Sequence, residues 1–70
     1  MKYYKKNVIR CKCCGDILEV EFQKKTDSYV KMIWCKCGKV GLNPAASMYR
    51  IAGFPELYED CSIEDDGELQ

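Results

Sequence analysis

Hydrophobic and polar residues alternate along two short stretches of this chain, residues 16–22 and residues 29–34. In the first stretch Leu18, Val20 and Phe22 recur at every second position, which is the period of a half-buried β-strand. The second stretch has the same period, and the polar residues between the two are typical of a loop. The pattern therefore predicts an antiparallel hairpin in which residues 29–34 return alongside residues 16–22.

The remainder of the chain predicts shorter elements. Residues 39–42 fit a third strand, and residues 45–52 fit a strand or a short helix, with the strand favoured. Residues 55–60 begin with proline and carry acids, as the start of a short helix does. We expect one domain over residues 1–60, followed over residues 61–70 by an acidic, flexible tail.

Four of the six cysteines form two close pairs, and a glycine follows each pair directly. Glycine allows the positive φ angle that lets a backbone fold tightly around thiolates. Zinc prefers four such ligands in a tetrahedron. The sequence therefore predicts one structural Zn²⁺ ion and a small, mostly β zinc ribbon, built as knuckle, β-hairpin, knuckle. The predicted ligands are Cys11, Cys14, Cys35 and Cys37.

Two cysteines lie outside this predicted ligand set. Cys13 is an alternative to Cys14, which is favoured because Gly15 follows it, and Cys61 fits a small apolar residue or a free thiol. A disulfide framework would need an oxidising compartment. The first residues lack the apolar stretch of a signal peptide, and no run approaches transmembrane length. We therefore expect a cytoplasmic protein that contains zinc and has no membrane partner.

The small size of the chain gives the metal a large role. Seventy residues bury only about 60% of the surface of their unfolded chain. A structural zinc ion contributes roughly 10–16 kcal/mol of apparent binding free energy, so we expect it to decide whether the chain folds. A site with four cysteine ligands leaves no position for substrate, and the chain has no histidine and no phosphate-binding loop. We expect no enzymatic activity.

Charges are unevenly distributed along the sequence, although acids and bases balance. Residues 1–12 carry five cations and no acid, with Tyr3 and Tyr4 among them, which would suit nucleic-acid phosphates and bases. Residues 51–70 carry seven acids and no base, a pattern that suits a basic partner surface. The candidate partner-binding residues there are Glu56, Tyr58, Glu59, Asp60, Glu64, Asp65 and Asp66.

The segments around the cysteine pairs resemble a family of small uncharacterised zinc-ribbon proteins from bacteria and their phages. The similar segments are residues 7–19, residues 34–41, Tyr49-Arg50-Ile51 and residues 55–60. The resemblance covers roughly residues 6–60, and the two cysteine knuckles are its specific part. In that family the position of Cys13 is usually another residue, which supports Cys14 as the ligand. The resemblance implies the fold and the metal but no activity.

The chain also resembles zinc-containing anti-CRISPR proteins, which are phage inhibitors of Cas9. The similar features are the small size, the four-cysteine site and the acidic tail. That resemblance implies a protein that binds Cas9 in the cytoplasm of a bacterial host and blocks DNA loading. Cas9 holds nucleic acid in positively charged channels, which an acidic surface would fit. We therefore expect a protein-binding inhibitor. A nucleic-acid-binding zinc ribbon is the alternative.

Overall fold

Short strands joined by tight turns form the protein in the computed structural model, which describes residues 2–70. The elements are β1 (Tyr4–Cys11), β2 (Ile17–Glu21), β3 (Ile33–Trp34), β4 (Gly41–Asn43), β5 (Arg50–Ala52), a 3-10 turn (Pro55–Leu57), β6 (Tyr58–Asp60) and β7 (Ile63–Glu64). The structure confirms the predicted small, mostly β fold with four cysteines clustered together.

Two antiparallel sheets make up the fold. In the first sheet β1 is central; β2 pairs along one edge, and β6 and β7 pair along the other. The second sheet is a meander in which β4 lies between β3 and β5. The chain therefore completes one hairpin in the first sheet and the three-stranded meander of the second before its C-terminal strands return to β1.

The predicted hairpin between residues 16–22 and residues 29–34 is wrong. β2 pairs with β1, with Arg10 opposite Ile17, and β3 pairs with β4, with Trp34 opposite Gly41. Each cysteine pair therefore lies in the turn of its own hairpin rather than at the ends of a shared one. Alternation identifies a strand but carries no information about its partner, and a short turn closes more readily than a long loop.

The return strand and the predicted helix are both shorter than the sequence indicated. β3 has two residues; Val30 is fully exposed, and the chain before β3 joins the fold through a bridge between Ser28 and Ala45. Residues 45–52 contain the favoured strand only at β5. The predicted helix forms a 3-10 turn that begins at Pro55, after which Tyr58 enters β6. Alternation continues through exposed, irregular chain, so it overestimates strand length.

Residues 61–70, expected to form a flexible acidic tail, have definite contacts in the structure. Ile63 lies opposite Lys6 in the pairing of β7 with β1. Leu69 is 7% exposed and packs in a small cluster with Phe22 and Ala46. The pairing of β7 with β1 and the buried side chain of Leu69 hold this segment against the fold, which its acidic composition does not predict. Its mobility in solution, and a domain boundary at residue 60, stay predictions.

The main hydrophobic core lies between the sheets and extends to the cysteines. Its buried members are Ile9, Cys11, Leu18, Cys35, Val40 and Leu42. The fully buried polar residue Asn7 crosses between the two halves, because its Oδ1 accepts a hydrogen bond of 3.1 Å from the N–H of Ala45. One core thus supports both strands that lead into the cysteine turns.

Candidate metal centre

The two cysteine pairs begin from the same backbone arrangement. In the first turn, residues 11–16, the N–H of Cys11 donates to the carbonyl of Asp16 at 2.9 Å. In the second turn, residues 35–40, the N–H of Cys35 donates to the carbonyl of Val40 at 3.0 Å. Both hydrogen bonds continue the ladder of their hairpin, so the first cysteine of each pair is fixed by sheet pairing.

Glycine closes both turns for a conformational reason. Gly15 and Gly38 have φ angles of 76° and 74°, and a Cβ atom at either position would contact nothing within 4 Å. Backbone conformation, not space, therefore requires glycine at these two positions. The N–H of Gly15 donates to the carbonyl of Cys11 at 2.8 Å, and that of Gly38 donates to Cys35 at 3.0 Å.

The four predicted ligands converge on one point. Their sulfur atoms all lie within 4.8 Å of one another, with Cys35 and Cys37 3.4 Å apart and Cys11 and Cys37 3.6 Å apart. A tetrahedron with Zn–S bonds of about 2.3 Å has edges of about 3.8 Å. These separations are too long for disulfide bonds and fit four ligands of a single metal ion. The four residues are thus positioned to bind a metal.

The cluster (Cys11, Cys14, Cys35 and Cys37) lies at the edge of the core. Cys11 and Cys35, the first cysteine of each pair, are buried, whereas Cys14 and Cys37 are exposed. The buried pair packs among the apolar residues between the sheets. A metal ion here would join the two hairpins on one side and lie close to solvent on the other.

The electrostatics of the cluster favour some thiolates and oppose others. The amides of Asp16 and then Cys37 lower the pKa of Cys14. Burial acts to raise the pKa of Cys35, but the amide of Val40 and the Cys37 side chain outweigh it and lower that pKa to about 6. The Lys39 amide acts to lower the pKa of Cys37, but Cys35 and burial raise it to about 12.

Four thiols at these separations do not all ionise without a nearby positive charge. Each ionised sulfur makes ionisation of the next one harder, because like charges at these separations repel one another. A divalent cation reverses this by stabilising all four thiolates together. The donor set therefore fits a soft divalent metal better than it fits four free thiols.

A carboxylate joins the two turns independently of any metal. Oδ2 of Asp16 accepts a hydrogen bond of 3.1 Å from the N–H of Lys36, which lies between the two cysteines of the second turn. Oδ1 of the same side chain accepts one of 3.0 Å from the N–H of Ile17. The sequence analysis missed this contact. The only sequence signal is an acid directly after a Cys-Gly step.

The two remaining cysteines lie outside the cluster. Cys13 is exposed, although its neighbour Cys14 contributes to the cluster. Cys61 is exposed, and its Sγ lies 3.6 Å from Oε1 of Glu59. Burial and the Glu59 carboxylate raise the pKa of the Cys61 thiol. Neither residue adds a fifth sulfur to the site.

The charges that are segregated in the sequence meet in the first sheet. β1 carries the basic residues and lies between β2, β6 and β7, which carry acids. Three ion pairs at the surface result, each at 2.9–3.0 Å, and each contributes little to stability on its own. The pairs are Lys2–Glu64, Lys6–Glu19 and Arg10–Glu59. Much of the predicted basic surface is thus neutralised within the molecule.

Most of the predicted acidic surface is also occupied by internal contacts. Asp60 accepts a hydrogen bond of 2.6 Å from the Tyr49 hydroxyl, and Asp65 accepts hydrogen bonds from two amides of its own segment. Glu59 and Glu64 belong to the ion pairs. Tyr58 is half-buried against the core.

Two predicted acids are left available for a partner. Glu56 and Asp66 are exposed and form no ion pair among the described residues. Both lie outside the neutralised part of the first sheet, Glu56 in the 3-10 turn and Asp66 after β7.

The chain matches no protein-family model, no curated protein and no solved structure. The resemblances to zinc-ribbon and anti-CRISPR proteins therefore stay predictions. Within residues 2–70 the structure has no helix of the length and apolar character needed to cross a membrane.

Proposed function

We propose that this chain is a non-enzymatic protein-binding module whose fold depends on one structural Zn²⁺ ion. The convergence of four cysteine sulfurs within 4.8 Å, from two separate hairpins, carries the proposal. Tetrahedral thiolate sites hold zinc or iron, and zinc is the usual ion of a single structural four-cysteine site. Once four thiolates are bound, no coordination position remains for water or substrate, so the role of the metal is structural.

The specific form of the proposal is a phage-encoded inhibitor that binds Cas9 in a bacterial cell and blocks DNA loading. Its support is the resemblance in size, cysteine pattern and acidic residues, together with the fit of carboxylates to basic nucleic-acid channels. Glu56 and Asp66 are the carboxylates free to contact a partner, and Tyr58 lies on the strand after Glu56. Glu59, Asp60, Glu64 and Asp65 would have to exchange internal contacts for partner contacts.

Two neighbouring cysteines provide a matched test of the metal site. We expect elemental analysis to find one zinc and no iron per chain. Cys14→Ser should lower zinc affinity by more than the roughly 10–100-fold typical of losing an outer contact, because a ligand is removed. Cys13→Ser, one residue away, should leave the affinity unchanged. Equal effects of the two substitutions, or a protein without zinc, would refute the ligand assignment.

A binding experiment tests the partner separately. Guide-loaded Cas9 is immobilised, and the zinc-bound chain is added before or after target DNA. We expect binding only before DNA is loaded, and weaker binding for the double variant Glu56→Lys/Asp66→Lys. Glu21→Lys reverses an exposed acid in β2 and serves as the control. Absence of binding would refute the Cas9 proposal while leaving the zinc proposal intact.

A further inference from the structure

The second sheet has one face against the core and one face exposed. In an antiparallel sheet, residues directly opposite each other project from the same face. The core-facing row consists of Ile33, Leu42 and Ile51. The next row consists of Trp34, Gly41 and Ala52, and it projects away from the core. Arg50 lies two residues before Ala52 and therefore shares that outer face.

Trp34 is held against the backbone of this outer face. A Cβ atom placed on Gly41 would lie 2.8 Å from Cε3 of Trp34 and 3.0 Å from Sδ of Met32. The indole therefore lies across Gly41, in space that any larger side chain would fill. Trp34 nevertheless keeps 53% of its surface exposed. The sheet thus presents a positioned aromatic ring to solvent.

Exposed cations lie on this outer face and in the turn next to Trp34, and the three strands of the sheet carry no acid. Arg50 is exposed on the same face, and Lys36 and Lys39 are exposed in the turn that follows Trp34. None of the three forms an ion pair within residues 2–70. Between residues 24 and 55 the single acid is Asp27, whose carboxylate accepts hydrogen bonds from backbone amides of its own loop.

We propose that this outer face, formed by Trp34, Arg50, Lys36 and Lys39, binds single-stranded nucleic acid. A base stacks on the exposed indole, and neighbouring phosphates contact the three cations. Stacking on an aromatic ring accepts every base, and a positive surface follows the backbone, which together are the means by which proteins bind single strands without sequence preference. A duplex hides its base faces and is not bound in this way.

This site is independent of the proposed Cas9 binding, since it uses a different sheet and no acidic residue. It also differs from the basic N-terminal segment suggested by the sequence, where Lys2, Lys6 and Arg10 pair with carboxylates. An acidic polypeptide would be attracted by the same cations. It has no flat bases to stack on the indole, so it is the competing occupant in the test.

Trp34 is the single tryptophan of the chain and reports directly on its own contact. The zinc-bound protein is titrated with an oligothymidylate of roughly 12 nucleotides, a length within the usual range of such sites. We expect quenching of the Trp34 fluorescence and binding in the micromolar range at about 50 mM salt. With three phosphates neutralised, log K should fall against log salt with a slope of about −2.

Variants separate stacking from charge, with binding followed by anisotropy of a labelled oligonucleotide. Trp34→Ala should weaken binding about tenfold or more, and Trp34→Phe should restore most of it. Arg50→Gln should weaken binding and reduce the size of the salt slope by about 0.7, whereas Lys24→Gln, in an exposed loop, should change neither. Zinc content and the thermal midpoint confirm that each variant is folded.

Three results would overturn the proposal. The first is no quenching of wild-type Trp34 by about 100 μM oligonucleotide, a concentration at the weak end of the usual range of non-specific dissociation constants. The second is equal binding by wild type and folded Trp34→Ala. The third is quenching by polyglutamate as strong as that by oligothymidylate, which would assign the face to an acidic protein. The first and third results use the wild-type protein, so they do not depend on folding of a variant.

Discussion

The hairpin of β1 and β2 and the hairpin of β3 and β4 hold their cysteines alike but are supported differently. Both start from the same hydrogen bond and end on a glycine near φ 75°. The first hairpin has five paired positions and two further strands on the other edge of β1. The second has two paired positions and a three-residue strand beyond them.

This difference indicates what a bound metal ion would contribute to each hairpin. Nucleating a turn is costly, and two paired positions compensate little of that cost. A metal ion that joins the second turn to the first places the weaker hairpin on the better supported sheet. We therefore expect the second hairpin to depend more strongly on zinc, although the glycine of each turn has the same backbone conformation.

Cys35→Ser is expected to have the largest effect of any single substitution. Cys35 is 4% exposed and lies in the core, so serine there removes a ligand and buries a hydroxyl group. We expect loss of bound zinc and of far-UV circular dichroism in the same sample. The exposed Cys37 offers the matched comparison, and Cys37→Ser should keep more structure. If Cys37→Ser caused the greater loss of structure, the burial of a ligand would not determine how much it contributes to folding.

The two glycines test whether a positive φ angle is equally important in both turns. Gly15→Ala and Gly38→Ala should each lower the free energy of unfolding by about 1–2 kcal/mol, since alanine at positive φ is strained and neither site is crowded. Urea denaturation of the zinc-bound variants measures this. Gly67 also has a positive φ angle but lies outside both cysteine turns, so Gly67→Ala is the control. This substitution should leave the zinc affinity unchanged. Costs that differ by more than about 1 kcal/mol would show that the two glycines are not equally constrained.

The carboxylate between the turns should contribute less than either glycine. Asp16→Ala removes the acceptor for the Lys36 N–H and is expected to cost about 1 kcal/mol, the usual net value of one hydrogen bond. Zinc affinity should fall as well, because the second turn loses its link to the first. Asp66→Ala, which removes an exposed acid without such a contact, should have no effect on either quantity. An unchanged zinc affinity in Asp16→Ala would exclude a role in holding the turns together.

The ion pairs of the first sheet should contribute least. Arg10 holds the pKa of Glu59 below its ordinary value, so any stabilisation is present above the unfolded pKa and is lost as the pH falls through the folded pKa. Both side chains are exposed, so the coupling should be smaller than the Asp16 contribution and should vanish in about 1 M salt. A double-mutant cycle with Arg10→Gln and Glu59→Gln measures it at neutral pH. A coupling that persists at high salt would contradict this ranking.

The sequence predicts the cysteine cluster far better than the strand pairing. Ligand spacing and the following glycine are local features, so Cys14 is distinguished from Cys13 without knowledge of the fold. The partner of β2 is a long-range property, and alternation is equally compatible with β1 or β3. The Asn7 and Asp16 side-chain contacts depend on that pairing, so the sequence analysis did not find them.

The cancellation of charge in the first sheet also depends on long-range strand pairing, so the sequence does not predict it. The sequence places bases in residues 1–12 and acids in residues 51–70, and it contains no sign that β1 lies between acidic strands. By contrast, the scarcity of acids between residues 24 and 55 is visible in the sequence. The position of Arg50 on the outer face is known only from the structure, because it follows from the register of β4 and β5.

The most direct test of the metal-dependent fold is a nuclear magnetic resonance spectrum of the ¹⁵N-labelled protein before and after zinc is removed by a chelator. We predict that the dispersed amide signals of residues 33–43 collapse first, that those of β1 and β2 follow, and that one equivalent of zinc restores both. A spectrum that stays dispersed in the metal-free protein would contradict the account, because the chain would then fold without a metal ion on its four cysteines.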